Sequence, residues 1–187
     1  MIDEEGHALL TDFGLSKEGI YDNISATSFC GSVAYLAPEM LKRSGHGKSV
    51  DWYLFGVLLY EMLFGTPPYY SKSKEQLFHN IKRGTLKIPR SVSKEALDLL
   101  KRLLNRNPNK RLGASFRDAD EIKEHPFFAG VNFEEVFQRK QKHSSPVLKE
   151  VKPTNFSDSI FMEPDSGADD QVVEGWSFIT PDMMAKS

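Results

Sequence analysis

A chain of 187 residues with 40% hydrophobic and 27% charged residues has room for one folded domain and an extension. Its net charge of −2 argues against a general binder of polyanions, and its single cysteine, Cys30, excludes a disulfide framework and a multi-cysteine zinc site. The N-terminus lacks the features of a signal peptide, and the longest apolar stretch, residues 52–59, is too short for a membrane span. We therefore expect a cytoplasmic protein that binds no nucleic acid.

The first predicted elements are a β-hairpin, a loop and a long helix. Residues 2–11 surround an acidic turn that contains Gly6, which predicts two short strands. The segment 16–31 is rich in Ser, Gly and Asn, which predicts a loop. Residues 50–64 are apolar apart from two acidic side chains, as expected of a helix that is buried on most sides.

Three shorter helices are predicted farther along the chain. Ser73 and Gln76 have the spacing of a capping box, in which Ser73 caps a helix and the Gln76 side chain reaches back. Another helix follows Ser93, because the apolar side chains after it are spaced for burial against a core. Asp118 is predicted to cap a last short helix. The fold class is therefore α+β, mainly helical with a short β-hairpin at the N-terminus.

From residue 129 onward the chain changes character. Aromatic residues are isolated there, and residues 164–170 form a run of small and acidic residues. From Val151 onward seven acidic side chains outnumber two basic ones, which leaves the first 150 residues with a charge of about +3. This composition predicts an extended tail that lies on another surface. The alternative is a disordered, solvated acidic end.

Six short strings of residues carry the functional signal. Asp12-Phe13-Gly14 follows the predicted hairpin, where a carboxylate can hold a Mg²⁺ ion that bridges ATP phosphates. Ala37-Pro38-Glu39 begins 25 residues after Asp12. The other strings are Ser28-Phe29-Cys30-Gly31-Ser32, Val50-Asp51-Trp52, Lys110-Arg111-Leu112-Gly113 and His125-Pro126-Phe127-Phe128. In this order they resemble the C-terminal lobe of a eukaryotic serine/threonine protein kinase, and more narrowly the AGC group.

This resemblance implies a domain organisation and a reaction. Residues 1–128 are expected to be the C-terminal-lobe portion of a protein kinase domain, and residues 129–187 an AGC-type C-terminal tail. The implied reaction transfers the γ-phosphate of ATP to serine or threonine in protein substrates, with ATP and Mg²⁺ as cofactors of the complete kinase.

The resemblance also assigns roles to charged positions. Asp12 is expected to bind the metal ion, with Gly14 allowing an unusual backbone turn beside it. Glu39 and Arg111 match a buried ion pair that ties the activation segment, residues 12–39, to the lobe, a structural role rather than a catalytic one. Asp51 matches an aspartate that braces the catalytic-loop backbone, although an aspartate at a helix start is also favoured by the helix dipole.

The activation segment is expected to carry a phosphate. Ser28 occupies the phosphorylation position of the family, with Thr27 beside it and Lys17 as a basic partner for the phosphate. An upstream activating kinase is therefore an implied partner.

The substrate-facing positions implied by the resemblance are Phe29, Ser32, Val33, Leu36 and Glu61. Glu61 matches a carboxylate that pairs with a substrate arginine, which favours basic substrates. The alternative for Glu61 is a helix-end side chain that faces solvent. Val33 and Ala34 depart from the Pro-Glu pair of many AGC kinases, which weakens any inference about more distant basic residues.

The tail contains a string that is similar to the hydrophobic motif of AGC kinases. Trp176 and Phe178 are expected to dock into the small kinase lobe, and phosphate on Ser177 would strengthen the docking. Phe156 resembles an aromatic residue that approaches the adenine site, and Glu163 stands near a phosphorylated turn motif, where it would supply a permanent negative charge.

Several parts of a kinase are not found in these 187 residues: the Gly-rich loop, the strand lysine and the His-Arg-Asp loop. No catalytic-loop residue is therefore assigned, the small lobe is missing, and the isolated chain is expected to be inactive. Two interpretations stay open. The chain is part of an AGC kinase, or it is a non-catalytic truncated kinase that acts as a binding or regulatory module.

Overall fold

The computed structural model describes residues 1–3, 5–22, 24–28, 30–43, 45–89 and 91–141. Six predicted site residues lie outside these ranges: Phe29 in the substrate-facing set, and Phe156, Glu163, Trp176, Ser177 and Phe178 in the tail. Within the ranges described, no helix combines the length and apolar character needed to cross a membrane.

Helices dominate the described part of the chain: α1 (Pro38–Lys42), α2 (Ser49–Phe64), α3 (Lys74–Arg83), α4 (Lys94–Leu103), α5 (Ala119–Lys123) and α6 (Phe133–Phe137). The three longer predicted helices are confirmed as α2, α3 and α4. Helix α6 corrects the prediction that the chain is extended from residue 129 onward. Its formation has a local cause, because the Asn132 side chain accepts hydrogen bonds from the N–H groups of Glu134 and Glu135 at 3.2 and 3.3 Å.

The predicted N-terminal β-hairpin is not confirmed as a pair of strands. Ile2 and Ala8 form an isolated antiparallel bridge. Beside it, the Leu9 N–H donates to the Met1 carbonyl at 2.8 Å. The chain reverses at Gly6, which has a φ of 86°. Because the pairing extends over so few residues, the described ranges contain a bridged turn here and no strand.

The main core lies between α2 and α4. Leu99, Leu100 and Leu103 of α4 are completely buried in it. At Gly56 of α2, an added Cβ atom would lie only 2.8 Å from the Cβ of Leu103, so the two helices approach this closely because residue 56 is a glycine. Helix α4 begins after Ser93, whose hydroxyl accepts a hydrogen bond from a first-turn N–H at 3.1 Å.

Helix α3 carries a second, smaller core. Its Leu77 and Ile81 are buried with Val33 and Tyr69. The Ser73 hydroxyl caps α3 as predicted, accepting from the Gln76 N–H at 3.2 Å. The other half of the capping box is wrong, because the Gln76 side chain donates to Asn80 Oδ1 at 2.7 Å instead of reaching back.

Arg106 holds the C-terminal end of α3, a role that the sequence did not reveal. Its Nε donates to the Ile81 carbonyl at 2.7 Å, and its Nη2 donates to the carbonyls of Asn80, at 3.1 Å, and Gly84. The guanidinium also lies over the Tyr69 ring, 5.0 Å from its centre. One side chain thus bonds three carbonyls at the end of α3, of which that of Asn80 also accepts from the Gly84 N–H at 2.8 Å.

Asp118 does not cap α5 as predicted. It directly precedes α5, but its side chain makes no cap hydrogen bond. Its carboxylate instead accepts from Trp52 Nε1 at 2.6 Å and lies 3.5 Å from Lys48 Nζ. The indole N–H of a partly buried Trp needs an acceptor, and Asp118 supplies it.

A backbone bridge fastens the loop 16–31 to the connection between α1 and α2. The Ala26 N–H donates to the His46 carbonyl at 2.9 Å, and the His46 N–H donates to the Ala26 carbonyl at 2.8 Å. His46 is buried, and this burial is the main reason that its pKa lies below the ordinary value. The charge of Lys17 lowers the pKa further, and the charges of Glu39 and Asp51 act in the opposite direction.

A buried ion pair connects α1 to the C-terminal half of the fold. Nη1 and Nη2 of Arg111 donate to the two carboxylate oxygens of Glu39 at 2.6 and 2.9 Å, and the two residues are 2% and 4% exposed. Arg111 also donates to the carbonyls of Ser49, at 2.7 Å, and Asn105, at 3.0 Å. Its guanidinium lies 5.0 Å from the centre of the Tyr53 ring. Every side of this charge therefore has a polar or aromatic partner.

Replacing Arg111 with Met should strongly destabilise the chain. The Glu39 carboxylate would remain buried without its partner, which typically costs about 3–5 kcal/mol of unfolding free energy. Urea denaturation of the purified chain measures the loss. Adding Glu39→Met should recover part of it, because no unpaired charge is then buried.

The control for this prediction is Arg117→Met, which breaks an exposed pair between Arg117 and Glu124. Exposed pairs contribute little, so this variant should unfold nearly as the wild type does. A loss in Arg111→Met no larger than in Arg117→Met would contradict the prediction.

The unfolding free energy of the chain should decrease as the pH is lowered, partly because of His46. Since the folded-state pKa is lowered, the unfolded chain takes up a proton first as the pH falls below the ordinary histidine value of about 6.5. The contribution of the neutral His46 to the unfolding free energy is therefore complete above about pH 6.5 and is lost progressively below it. Unfolding free energies measured between about pH 7.5 and pH 5.5 should decline less steeply for His46→Gln than for wild type. Equal slopes would contradict this assignment.

Candidate functional site

Asp12 lies between the N-terminal bridge and the loop 16–31, with its side chain exposed. Its φ of 64° is in the left-handed region, which few residues other than glycine adopt. The unusual backbone turn was expected at Gly14, but Gly14 is not among the residues with positive φ. The strained position is therefore the acidic residue itself, as is common at functional sites.

The chemistry of Asp12 suits a shared metal site better than a closed one. No group of three or more His, Cys, Asp or Glu side chains in the described ranges could hold a metal ion by itself. Mg²⁺ is commonly held by only one or two carboxylates, with phosphate oxygens and waters completing its shell. An exposed carboxylate at a fixed turn fits that partial role.

The activation segment is fastened just before the predicted phosphorylation site. Asp22 Oδ1 accepts from the N–H groups of Ile24 and Ser25 at 2.9 and 2.8 Å, and from the Ser25 hydroxyl at 2.6 Å. The Ser25 hydroxyl contributes most to lowering the pKa of Asp22. The bridge between Ala26 and His46 follows directly. Thr27 is exposed and Ser28 is partly buried beyond it.

Lys17 is brought near this fastened segment. The side chain is exposed, yet its charge reaches His46 closely enough to lower the pKa of the imidazole. The Lys17 charge thus acts on His46, whose backbone is bonded to Ala26, and Ala26 lies two residues before Ser28.

The substrate-facing positions differ in exposure. Ser32 is partly buried at the start of a 3₁₀ turn, Val33–Tyr35, and its carbonyl accepts from the Tyr35 N–H at 2.9 Å. Val33 and Leu36 are only 4% and 3% exposed and belong to the smaller and the main core. In this conformation they support the surface from beneath and do not present open apolar area.

Glu61 is joined to Tyr35, to which no role was assigned from the sequence. The Tyr35 hydroxyl donates to Glu61 Oε2 across 26 residues of sequence. Burial raises the pKa of Tyr35 to about 12, and the hydrogen bond to Glu61 adds to the effect. The sequence shows a tyrosine at position 35, but the periodicity of the chain does not identify Glu61 as its hydrogen-bond partner.

Asp51 lies in the first turn of α2 and is exposed. The surrounding protein removes part of its hydration, and this desolvation, followed by the charge of Asp118, raises its pKa. Hydrogen-bond donors from another segment would stabilise the charged form. The geometry is therefore compatible with a bracing role as well as with a helix-start aspartate.

This chain is similar to known protein kinases. The protein kinase domain family model matches residues 1–128. Ribosomal protein S6 kinase 2 alpha from Xenopus laevis is 39% identical over 191 residues, which cover 97% of this chain and 26% of that protein. RAC-beta serine/threonine-protein kinase from Rattus norvegicus is 42% identical over 162 residues, which cover 86% of this chain and 34% of that protein.

A second S6 kinase, ribosomal protein S6 kinase 2 alpha from Gallus gallus, is 39% identical over 197 residues, which cover 100% of this chain and 26% of that protein. The chain thus spans between 26% and 34% of the length of these curated relatives. The family match extends over more than half of the chain, and the sequence resemblance agrees with it. The chain belongs to the protein kinase domain family, within its AGC group of serine/threonine kinases.

Proposed function

We propose that this chain forms the large-lobe part of a serine/threonine kinase that transfers the γ-phosphate of ATP to protein substrates. The observation that carries the proposal is the buried pair between Glu39 and Arg111. It fixes the end of a segment that begins at Asp12 and contains the phosphorylation and substrate positions. Catalysis of phosphoryl transfer depends mainly on positioning and electrostatics, and a rigidly fixed segment serves both.

Asp12 is the residue that would hold the metal ion of the bound nucleotide. Mg²⁺ supplies positive charge that offsets the negative charge of the phosphates during transfer. The chain's own contribution is an exposed carboxylate on a backbone turn with a φ of 64°, which limits the directions that the side chain can take.

Glu61 is proposed to recognise a basic side chain of the protein substrate. The Tyr35 hydroxyl bonds one of its carboxylate oxygens, Oε2, and so fixes the direction of the carboxylate. A carboxylate has lone pairs enough to accept from a substrate guanidinium at the same time. Phe29 and Ser32 complete the proposed substrate-facing set, and the buried Val33 and Leu36 are proposed to support it from beneath.

The residues beyond the kinase-domain match are proposed to form an AGC-type tail. The alignment with the Gallus gallus kinase covers 100% of this chain and therefore extends past residue 128. The aromatic pair Trp176 and Phe178 is proposed to dock on the small lobe, with Ser177 as a phosphate acceptor between them. Phe156 and Glu163 keep their proposed roles near the nucleotide and the turn motif.

Exposed apolar side chains in residues 9–15 bear on the alternative function. Leu10, Phe13 and Leu15 are 85%, 59% and 66% exposed. Apolar side chains this close together favour association with another protein surface. The small lobe of a complete kinase and a separate regulatory partner both meet this requirement, so the non-catalytic binding module remains the second candidate.

The isolated chain should not catalyse phosphoryl transfer. The purified chain, with ATP, Mg²⁺ and a basic peptide, should give no more product than Asp12→Asn. Turnover approaching the range of about 1–100 s⁻¹ found for kinases would overturn this expectation.

Kinase activity should depend on Asp12 in the longer product, if the nucleotide sequence before Met1 encodes an in-frame His-Arg-Asp motif. In that product Asp12→Asn should lower kcat by about 10²-fold or more, because the negative charge facing the metal ion is lost. Glu18→Gln, an exposed acid in the same loop, is the control and should retain activity. A stop codon before Met1 would favour the binding module.

Ser28 should carry phosphate in an activated kinase. Its phosphate would pair with Lys17 and with other basic groups of the complete enzyme, which orders the segment. Phosphopeptide mapping of the activated kinase measures the modification. An unmodified Ser28 in the fully active enzyme would refute this assignment.

A further inference from the structure

The contacts around Gly45 form a tight junction between the activation segment and the connection from α1 to α2. Gly45 has a φ of 83°, and an added Cβ atom would lie 2.4 Å from the Ile24 carbonyl oxygen. That distance is far inside van der Waals contact with backbone atoms, which cannot rotate away as a side chain can. Ala26 and His46, the two bridged residues, are 3% and 7% exposed.

Thr27 and Ser28 follow this junction directly. We propose that the bridge between Ala26 and His46 is a latch that withholds Ser28 from a phosphorylating enzyme until the bridge opens. The inference rests on the proposed function, because it assigns a control to the phosphorylation site named there.

The reasoning concerns the backbone before the acceptor. An enzyme that modifies a peptide binds several residues on each side of the acceptor in an extended form, often through the peptide's own N–H and C=O groups. Both backbone groups of Ala26, two residues before Ser28, are already bonded to His46. The preceding turn is also closed, because Asp22 holds Ile24 and Ser25. An enzyme cannot use this stretch while the latch is closed.

Opening the latch would make the serine available for ordinary group transfer. The Ser28 hydroxyl oxygen forms a bond to the γ-phosphorus of ATP, ADP departs with the electrons of the broken bond, and the hydroxyl proton passes to a base of the modifying enzyme. The latch takes no part in this chemistry and controls only whether the segment can enter that enzyme.

Gly45→Ala tests the latch, since its Cβ displaces the Ile24 backbone. Hydrogen exchange at the Ala26 amide of the purified chain should become about tenfold faster or more, because the bridge protects that N–H. Gly19→Ala is the matched control. Gly19 lies in the same loop with a φ of 70°, but nothing lies within 4 Å of an added Cβ atom. Gly19→Ala therefore introduces similar backbone strain but no collision, and its Ala26 amide should exchange at the wild-type rate.

The second measurement is the rate of phosphate incorporation at Ser28 from ATP in a desalted eukaryotic cell extract, followed by mass spectrometry. A synthetic peptide of residues 20–34, which lacks the bridge, gives the rate for an open segment. Gly45→Ala should raise the rate by about tenfold toward that of the peptide, in proportion to the increased opening. Gly19→Ala should leave it unchanged.

A second pair of variants covers the case in which Gly45→Ala fails to fold, as judged by circular dichroism. Asp22→Ala removes the acceptor that closes the turn before the bridge, whereas Asp22→Asn keeps an oxygen at that position. Asp22 is exposed, so the core is not disturbed. Exchange and phosphorylation should both be faster in Asp22→Ala than in Asp22→Asn.

The outcomes separate the latch from the phosphorylation site. Faster exchange with an unchanged phosphorylation rate overturns the latch, and so does unchanged exchange in a folded Gly45→Ala. Absence of phosphate from Ser28 in every variant and in the peptide overturns the phosphorylation site of the proposed function instead. Parallel increases in both measurements support the latch.

Discussion

The pair between Glu39 and Arg111 is the constraint on which the rest of the structure depends. Its two partners stand 72 residues apart in sequence, and the same guanidinium also bonds the carbonyls of Ser49 and Asn105. The entry to α2, the helix α1 and the turn after α4 therefore meet at one charge. A buried charge is tolerated only where its partners are complete, so these three regions must form together or not at all.

Two kinds of contact hold the activation segment against the rest of the fold. At its C-terminal end, α1 is fixed by an ion pair in the protein interior. In its middle, the attachment consists of backbone hydrogen bonds between Ala26 and His46, which are both buried, and of the exposed turn closed by Asp22. An ion pair with full hydrogen bonding opens rarely, whereas an isolated backbone bridge next to an exposed turn can open locally. The segment can thus rearrange around Ser28 while its end at Glu39 stays in place.

The sequence predicted the parts of the fold that depend on local pattern. The apolar run of α2, the Ser73 cap and the leucine spacing of α4 all arise from neighbouring residues, and the structure contains them. Contacts between distant residues were not predictable in this way. The bond from Trp52 to Asp118, the Arg106 clamp and the bond from Tyr35 to Glu61 each join residues at least 22 positions apart. The pairing of Glu39 with Arg111 was expected only because the family resemblance supplied it.

Arg106 connects the C-terminal end of α3 to the turn that follows α4. Three carbonyls at the end of α3 are bonded to one guanidinium, so a shift of α3 must move Arg106 or break these hydrogen bonds. Ile81 and Leu77 of the same helix pack against Val33, beneath the expected substrate surface. A displacement of the turn after α4 would therefore move α3, and with it the buried side chains that support residues 32–36.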